Sequence, residues 1–157
     1  MIRSWRIVKA KHAANAFDGE GARLLGGRWN SPGRRVIYTA ESAALAALEM
    51  LVHLGRMTTL PAYVVISCDF DEKLVVDVDR HKLPANWRTF PAPHALPAIG
   101  DAWLASAKSA VLRVPSAIVP GENNYLLNPA HPRFARIVIG APERFELDFR
   151  LVSGLSL

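Results

Sequence analysis

The sequence predicts an α+β fold, because segments of strand composition outnumber helical ones and do not alternate with them regularly. The length of 157 residues fits one domain, large enough to bury about two-thirds of its unfolded surface. Half of the residues are hydrophobic and 21% are charged, which is ordinary for a globular protein. Residues 1–157 carry no repeat, linker or low-complexity segment, so we expect a single domain.

Two strands are predicted near the N-terminus. Residues 3–8 alternate polar and apolar side chains, and residues 35–39 are rich in β-branched and aromatic types. Residues 17–30 between them are rich in glycine and polar types, which predicts a long, structured loop.

The helix predicted after the second strand carries one charged residue in an apolar run. Glu41 or Ser42 is placed to cap it and Gly55 to end it. Within 43–52 only Glu49 is charged, and helical spacing puts it on the face of Leu45 and of residue 52, towards packed structure. Two interpretations stay open: a structural carboxylate paired with an arginine or lying at the rim of the apolar face, or a catalytic carboxylate that stabilises positive charge or orients a sugar hydroxyl.

The second half of the chain predicts a central strand and several shorter elements. Residues 62–68 have the clearest strand composition, and residues 73–78 are expected to pair with them. Residues 83–97 carry four prolines and little periodicity, which predicts an ordered surface loop. The remaining expectations are a short helix over 99–108, a strand over 110–114 that Pro115 breaks and that resumes over 116–119, a polar turn region over 121–132, and closing strands over 134–139 and 145–151.

The charge and the cysteine content limit the classes of partner. The net charge of +5 suits nucleic acid, an acidic protein or a phosphorylated small molecule, but the basic residues are scattered, so direct nucleic-acid binding is not expected. No stretch of eighteen apolar residues or signal peptide is present, so no membrane span is expected. The single cysteine, Cys68, fits a core position in a cytoplasmic protein. The five histidines lack metal-ligand spacing, so no metal site is expected.

Three more residues are candidates for a site. Arg28 follows two glycines, which let a backbone approach a ligand, and its guanidinium fits phosphate or carboxylate; alternatively it lies in a surface turn and pairs with Glu49. Tyr38 is either a half-buried core residue with a hydrogen-bonded hydroxyl or a ring that stacks on a flat ligand. Ser116 is not in a nucleophile elbow, so it binds a phosphate or caps a turn. Asn124, like other asparagines nearby, is by default a turn former.

Long segments of the chain resemble the RES-domain family, which is named for an arginine, a glutamate and a serine. These correspond here to Arg28, Glu49 and Ser116. The resemblance runs from about residue 5 to residue 150, and the segments that carry it are FDGEGARLLGGRWNSPGRRVIYTAESAALAALEMLVHL, LPANWR, GDAWL and VLRVPSAIVPGENNYLLNPAHPRFARI.

The resemblance implies a toxin of a bacterial toxin–antitoxin pair with a cognate Xre-type helix-turn-helix antitoxin, in a hetero-oligomer. It implies an ADP-ribosyltransferase-like (diphtheria-toxin-like) split β-sheet core with flanking helices that binds NAD⁺. NAD⁺ is then a substrate, consumed by phosphorolysis with inorganic phosphate as co-substrate or by hydrolysis, and no cofactor is expected. The alternatives are ADP-ribosylation of a host protein or, in a different class, a non-catalytic basic binding module.

The resemblance also assigns roles to residues. Glu49, Arg28 and Tyr38 are expected to be catalytic. Residues that bind NAD⁺ or phosphate are expected to be Arg6, Arg28, Tyr38, Ser116 and Asn124. Cleavage of the nicotinamide–ribose bond develops oxocarbenium character on the sugar, which a carboxylate stabilises.

Overall fold

The computed structural model describes residues 1–54 and 60–153. Its described strands are β1 Ile2–Lys9, β2 Ile37–Ala40, β3 Tyr63–Phe70, β4 Val75–Asp77, β5 Val111–Pro115, β6 Asn123–Leu127, β7 Val138–Ile139 and β8 Glu143–Phe145. Its described helices are α1 Glu20–Leu25, α2 Ala43–His53, α3 Ala95–Ser106 and α4 Phe149–Ser153, with 3₁₀ turns over Ala10–Asn15, Glu72–Leu74, Arg80–Lys82 and Pro132–Arg136. The expected α+β class is confirmed.

The strands form one mixed sheet in which β1 and β2 are joined weakly. The order is β4-β5-β6-β2-β1-β3-β7, and β8 also pairs with β3. β1 runs antiparallel to β3 over its whole length, from the pair Ile2–Phe70 to the pair Lys9–Tyr63. By contrast, β1 meets β2 at the pair Trp5–Ala40, while β2 pairs with β6 over all of its residues. The sheet therefore consists of two well-paired parts that meet at the seam between β1 and β2.

The helices α2 and α3 pack on the same face of the sheet. Neighbouring residues of a strand point to opposite faces, so Tyr38 and Ala40 of β2 share a face with their partners on β6, Leu126 and Asn124. Helix α3 covers this face next to Leu126, and α2 covers it next to Ala40. We call this the helical face; Tyr38 and Asn124 lie on it.

The opposite face carries the other main cluster of the core. Its buried residues are Ile37, Cys68, Phe70, Leu74, Ala110, Val111, Tyr125, Leu127 and Ile137. The rings of Phe70 and Tyr125 meet edge to face, with centroids 5.4 Å apart. Because side chains alternate along a strand, the residues of β3, β5 and β6 that fill this cluster leave their neighbours in the sequence on the helical face.

The N-terminus of α2 has the expected cap. The hydroxyl of Ser42 accepts a hydrogen bond from the backbone N–H of Leu45 at 3.0 Å. Glu41, the other candidate cap, instead accepts a hydrogen bond from the side chain of Asn123 at 2.8 Å. Gly55, the expected end of the helix, lies outside the described residues.

The expected pairing of residues 73–78 with the central strand is wrong. β4 pairs in parallel with β5, with Val75 opposite Val111. The physical reason is that both edges of β3 are already occupied, one by β1 and the other by β7 and β8. The chain therefore crosses to the far edge of the sheet to form β4.

The polar turn region expected over 121–132 contains a strand, β6. Its first residues are asparagines, but Tyr125, Leu126 and Leu127 that follow are buried between β2 and β5. Residues 116–119, expected to resume a strand, instead form a turn outside the strands described here.

Other boundaries differ from expectation because short elements interrupt the expected segments. The loop expected over 17–30 contains α1, and α3 begins at Ala95, inside the stretch 83–97 expected to be a loop. The first closing strand, expected over 134–139, is shortened to β7 because Pro132–Arg136 forms a 3₁₀ turn. The second, expected over 145–151, overlaps the end of β8 and then α4, which spans Phe149–Ser153. Over the part of the chain that the structure describes, no helix is both long and apolar enough to cross a bilayer.

Candidate functional site

A tight turn at residues 27–30 presents Arg28 on the helical face. The backbone N–H of Gly27 donates to the carbonyl of Asn30 at 3.0 Å. Asn30 is fully buried, and its side-chain amide donates to the carbonyl of Ala22 at 2.9 Å. A Cβ at position 27 would lie 2.6 Å from the Tyr38 hydroxyl oxygen, so the position requires glycine. The turn is therefore stabilised by its own backbone hydrogen bond and by the hydrogen bond from Asn30 to α1.

The hydroxyl of Tyr38 fastens this turn to the sheet. It donates to the side-chain oxygen of Asn30 at 2.6 Å and accepts from the backbone N–H of Trp29 at 3.1 Å. Burial raises the pKa of Tyr38 well above its ordinary value, so the phenol stays neutral at physiological pH. Of the two interpretations of Tyr38, the hydrogen-bonded hydroxyl is the one the structure shows, and the ring remains half-buried on the helical face.

We predict that Tyr38→Phe destabilises the protein and loosens the Arg28 turn. The change leaves the N–H of Trp29 and the amide oxygen of Asn30 without their partner, at a cost of about 1–3 kcal/mol. Urea unfolding would measure the free-energy change. Tyr125→Phe is the matched control, because it removes a tyrosine hydroxyl from the opposite face; equal losses in both variants would contradict a special role for the Tyr38 hydroxyl.

The guanidinium of Arg28 binds a second loop instead of Glu49. Its Nη1 donates to the carbonyls of Trp87, at 2.9 Å, and Thr89, at 3.0 Å. Burial lowers the pKa of Arg28, and the negative charge of Glu49 raises it in part. The two side chains therefore interact electrostatically without forming an ion pair. No Arg28–Glu49 ion pair occurs within 4.0 Å among the residues that the structure describes. The interpretation of Glu49 as the partner of a structural ion pair with Arg28 is therefore not supported.

Glu49 lies at the edge of the packed face of α2. Leu45, one turn earlier, is fully buried, whereas Val52 is 60% exposed, so the expectation that all three share a packed face holds only in part. Burial raises the pKa of the half-buried Glu49 carboxyl; the nearby side-chain amide of Asn124 and the charges of His53 and Arg28 lower it in part. The amide nitrogen of Asn124 itself donates to the carbonyl of Thr39 at 3.3 Å. Among the described residues no cation lies within ion-pair distance of this carboxylate, an arrangement that suits a transient positive charge on a ligand.

Ser116 caps a turn that closes the end of the site. Its buried hydroxyl oxygen accepts from the N–H groups of Ile118, at 3.1 Å, and Val119, at 3.0 Å. Val119 in turn packs against the cluster of Leu45 and Ala46 on α2. The turn-capping interpretation is the one the structure shows, and the O–H of Ser116 keeps its capacity to donate.

The structure places Arg6 at the seam between β1 and β2. Its Nε donates to the carbonyl of Ala16 at 2.8 Å, and its Nη1 to the carbonyl of Tyr38 at 2.9 Å. Strand alternation gives Arg6 the face of Ser4, whose hydroxyl contacts Cys68 in the core opposite the helical face. The Arg6 side chain therefore lies on the face opposite the helical face. Contact between Arg6 and NAD⁺ stays a prediction.

The structure brings Arg28, Tyr38, Glu49 and Asn124 to one face, beside the turn of Ser116. We call this group, with that turn, the cleft. Sequence reasoning missed the residues that hold it in place, chiefly Asn30 and Gly100. The backbone of Gly100 lies against the carbonyl of Trp29, where a Cβ would overlap it. The only sequence signal was a glycine inside an apolar helical run, which often marks a close helix contact.

The described residues offer neither a cluster of metal-ligating side chains nor an activated thiol. Over residues 1–54 and 60–153, no group of three or more histidine, cysteine, aspartate or glutamate side chains is arranged to hold a metal ion. Cys68 is buried, and burial raises the pKa of its thiol to about 11, so it is not an activated nucleophile.

Comparison with known proteins gives consistent matches over nearly the whole chain. The RES domain model matches residues 3–148. The "Toxin Res" of Yersinia enterocolitica is 40% identical over 148 residues, covering 94% of this chain and 97% of that protein. The "Prs ADP-ribosylating toxin" of a Sphingobium species is 37% identical over 153 residues, covering 94% and 95%. The crystal structure of the M. tuberculosis MbcT–MbcA toxin–antitoxin complex contains a chain of similar fold, with a TM-score of 0.76 at 22% identity, over 98% of this chain and 88% of that one.

Proposed function

Because the chain belongs to the RES domain family, we propose that it is the toxin of a bacterial toxin–antitoxin pair and cleaves the nicotinamide–ribose bond of NAD⁺. In this proposal the sheet, divided at the seam between β1 and β2, is an ADP-ribosyltransferase-like split core. The reaction is phosphorolysis or hydrolysis, and its consequence is depletion of cellular NAD⁺.

The observation that supports the proposal most is the Glu49 carboxylate. It is half-buried, has no cation within ion-pair distance among the described residues, and lies near Asn124 and Arg28. Departure of nicotinamide as a neutral molecule leaves positive charge on the ribose, and a preorganised carboxylate stabilises that charge more than it stabilises the ground state. No general acid is required for this leaving group.

The other cleft residues take roles that their free atoms allow. The Nε and Nη2 of Arg28 make no hydrogen bond within the described part of the chain, so they are available to the diphosphate of NAD⁺ or to inorganic phosphate. The half-buried ring of Tyr38 packs beside the nicotinamide, Asn124 orients Glu49 and the ribose, and the O–H of Ser116 donates to phosphate.

A second candidate function is transfer of ADP-ribose to a protein. The observation that favours it is the Sphingobium relative, which is named an ADP-ribosylating toxin and is 37% identical. Both functions use the same bond cleavage and differ in the acceptor. A non-catalytic binding module, supported by the net charge of +5 alone, is the remaining alternative.

The proposed function is tested by incubating the purified chain with NAD⁺, with and without phosphate, and separating the products. We expect nicotinamide release together with ADP-ribose phosphate in phosphate buffer, or with ADP-ribose where water is the acceptor. Label from adenine-labelled NAD⁺ that appears on an added protein extract would instead identify protein transfer. Folded protein that releases no nicotinamide under any of these conditions would support the binding module.

We also propose that a cognate Xre-type antitoxin binds the chain in a hetero-oligomer. The support is the fold shared with a chain of the M. tuberculosis toxin–antitoxin complex, together with the relatives named as toxins. Co-expression of the chain with a helix-turn-helix protein encoded beside it tests this, since a true pair would co-purify and restore growth.

A further inference from the structure

The loop at residues 86–90, which we call the rim loop, is fastened to the cleft by Arg28. The two carbonyls that receive Nη1 of Arg28 belong to Trp87 and Thr89, the residues on either side of Arg88. Inside the loop, the hydroxyl of Thr89 donates to the carbonyl of Asn86 at 2.9 Å. The position of Arg88 is therefore set by Arg28, although the two residues are far apart in sequence.

The side chain of Arg88 extends from the rim loop to the turn that Ser116 caps. Its Nε and Nη2 both approach the carbonyl of Ala117 at 3.3 Å, the long end of the hydrogen-bond range. The residue is exposed, so the rest of the guanidinium faces solvent at the edge of the cleft. Arg88 thus links the loop that Arg28 holds to the turn that Ser116 caps, and the proposed function assigns both Arg28 and Ser116 to phosphate.

Neither Arg28 nor Arg88 pairs with a carboxylate in the part of the chain that the structure describes. Arg3, Arg23 and Arg113 each pair with a carboxylate, whereas no aspartate or glutamate lies within 4.0 Å of the guanidinium of Arg28 or Arg88 in the described ranges. Arg28 is half-buried and its Nη1 is committed to the rim loop. Two arginines that contact one loop, neither with a carboxylate within 4.0 Å among the described residues, are suited to a ligand that carries two negative charges.

We propose that Arg88 binds the diphosphate of the dinucleotide substrate and that Arg28, besides its own contact, positions the rim loop for it. This inference rests on the proposed function for the identity of the substrate, while the ligand chemistry itself is a diphosphate. The diphosphate does not change charge when the nicotinamide–ribose bond breaks. Arg88 therefore contributes to ground-state and transition-state binding alike, and its loss is expected mainly in KM.

The test uses calorimetric binding of ADP and of adenosine, which needs no turnover. We expect the wild type to bind ADP more tightly than adenosine, and Arg88→Ala to weaken ADP binding about ten- to a hundred-fold, the loss of one or two charge-assisted hydrogen bonds. Adenosine binding should change little, and Arg88→Lys should recover part of the loss. Arg133→Ala, which removes an equal charge from an exposed position on a distant 3₁₀ turn, should bind ADP like the wild type.

Two results would overturn the assignment: wild-type protein that binds ADP no more tightly than adenosine, or an Arg88→Ala variant that binds ADP as the wild type does. With NAD⁺ as substrate, the variant should show a larger rise in KM than fall in kcat, and the reverse pattern would also contradict it. A different result would show that the proposed function itself is wrong: wild-type protein that binds ADP but releases no nicotinamide from NAD⁺.

Discussion

Glu49→Gln is expected to lower the rate of nicotinamide release from NAD⁺ by about a hundred- to a thousand-fold, the usual effect of removing one preorganised charge-stabilising group. Glutamine keeps the shape and the hydrogen-bonding capacity towards Asn124 but removes the negative charge. The loss should appear in kcat and in kcat/KM together, because the carboxylate acts most strongly when positive charge develops on the ribose. Steady-state kinetics of nicotinamide release measure it.

The same substitution distinguishes a functional carboxylate from a structural one through its effect on stability. Burial raises the pKa of Glu49 in the folded protein, so the ionised form is disfavoured there relative to the unfolded chain. Below the unfolded-state pKa the carboxyl is protonated in both states, so it does not lower the free energy of unfolding. The loss of stability develops as the pH rises above the unfolded-state pKa and is complete above the folded-state pKa. Glu49→Gln should therefore be at least as stable as the wild type at pH 7, and the difference should shrink as the pH falls.

Urea unfolding of both proteins at several pH values between 4 and 8 provides this comparison. A variant that is clearly less stable than the wild type at pH 7 would indicate that Glu49 belongs to a stabilising ion pair, contrary to the geometry at Arg28. Activity of the wild type should also decline in acid as Glu49 becomes protonated, since only the carboxylate stabilises the developing cation.

Gly100→Ala is expected to cause the largest loss of stability among single methyl additions in this part of the fold, about 3 kcal/mol or more. A Cβ at position 100 would overlap the carbonyl oxygen and carbon of Trp29, which are backbone atoms and cannot rotate away. Either α3 or the turn at residues 27–30 must move. Because that turn carries Arg28, activity should fall as well.

Gly21→Ala is the matched control for Gly100→Ala. Position 21 is also a helical glycine, but a Cβ there would meet no atom within 4 Å. Alanine favours helix over glycine by about 1 kcal/mol, so this variant should be neutral or slightly more stable. Thermal and urea unfolding of both variants test the contrast. A Gly100→Ala protein as stable and active as the wild type would show that α3 does not press on the Arg28 turn.

The elements that were predicted correctly are those with strong local signals. β1 alternates polar and apolar residues, β3 is a β-branched run, and α2 begins at Ser42, whose capping role follows from its own side chain. The expectation that residues 73–78 pair with β3 is wrong, because which edge of a sheet remains free depends on every other strand, and β4 pairs with β5. β6 was missed because its leading asparagines favour turns in isolation, while burial between β2 and β5 outweighs that preference.

The identities of the cleft residues came from the sequence and from the family resemblance, but their contacts did not. Arg28 reaches carbonyls 59 and 61 positions later in the chain, and no local pattern encodes such a contact. Tyr38 was predicted to lie beside a ligand, and its hydroxyl in the structure fastens the turn that carries Arg28. Arg6 was assigned on a short motif, and only strand register shows which face its side chain takes.

The central claim, that Glu49 enables cleavage of NAD⁺ in the cleft, is tested most directly by one assay. Wild-type protein and folded Glu49→Gln, at equal concentration and free of antitoxin, are incubated with NAD⁺, and nicotinamide is quantified by chromatography over time. We predict steady release by the wild type and release at least about a hundred-fold slower in the variant. Equal rates in the two proteins, or no release by folded wild type, would contradict the claim.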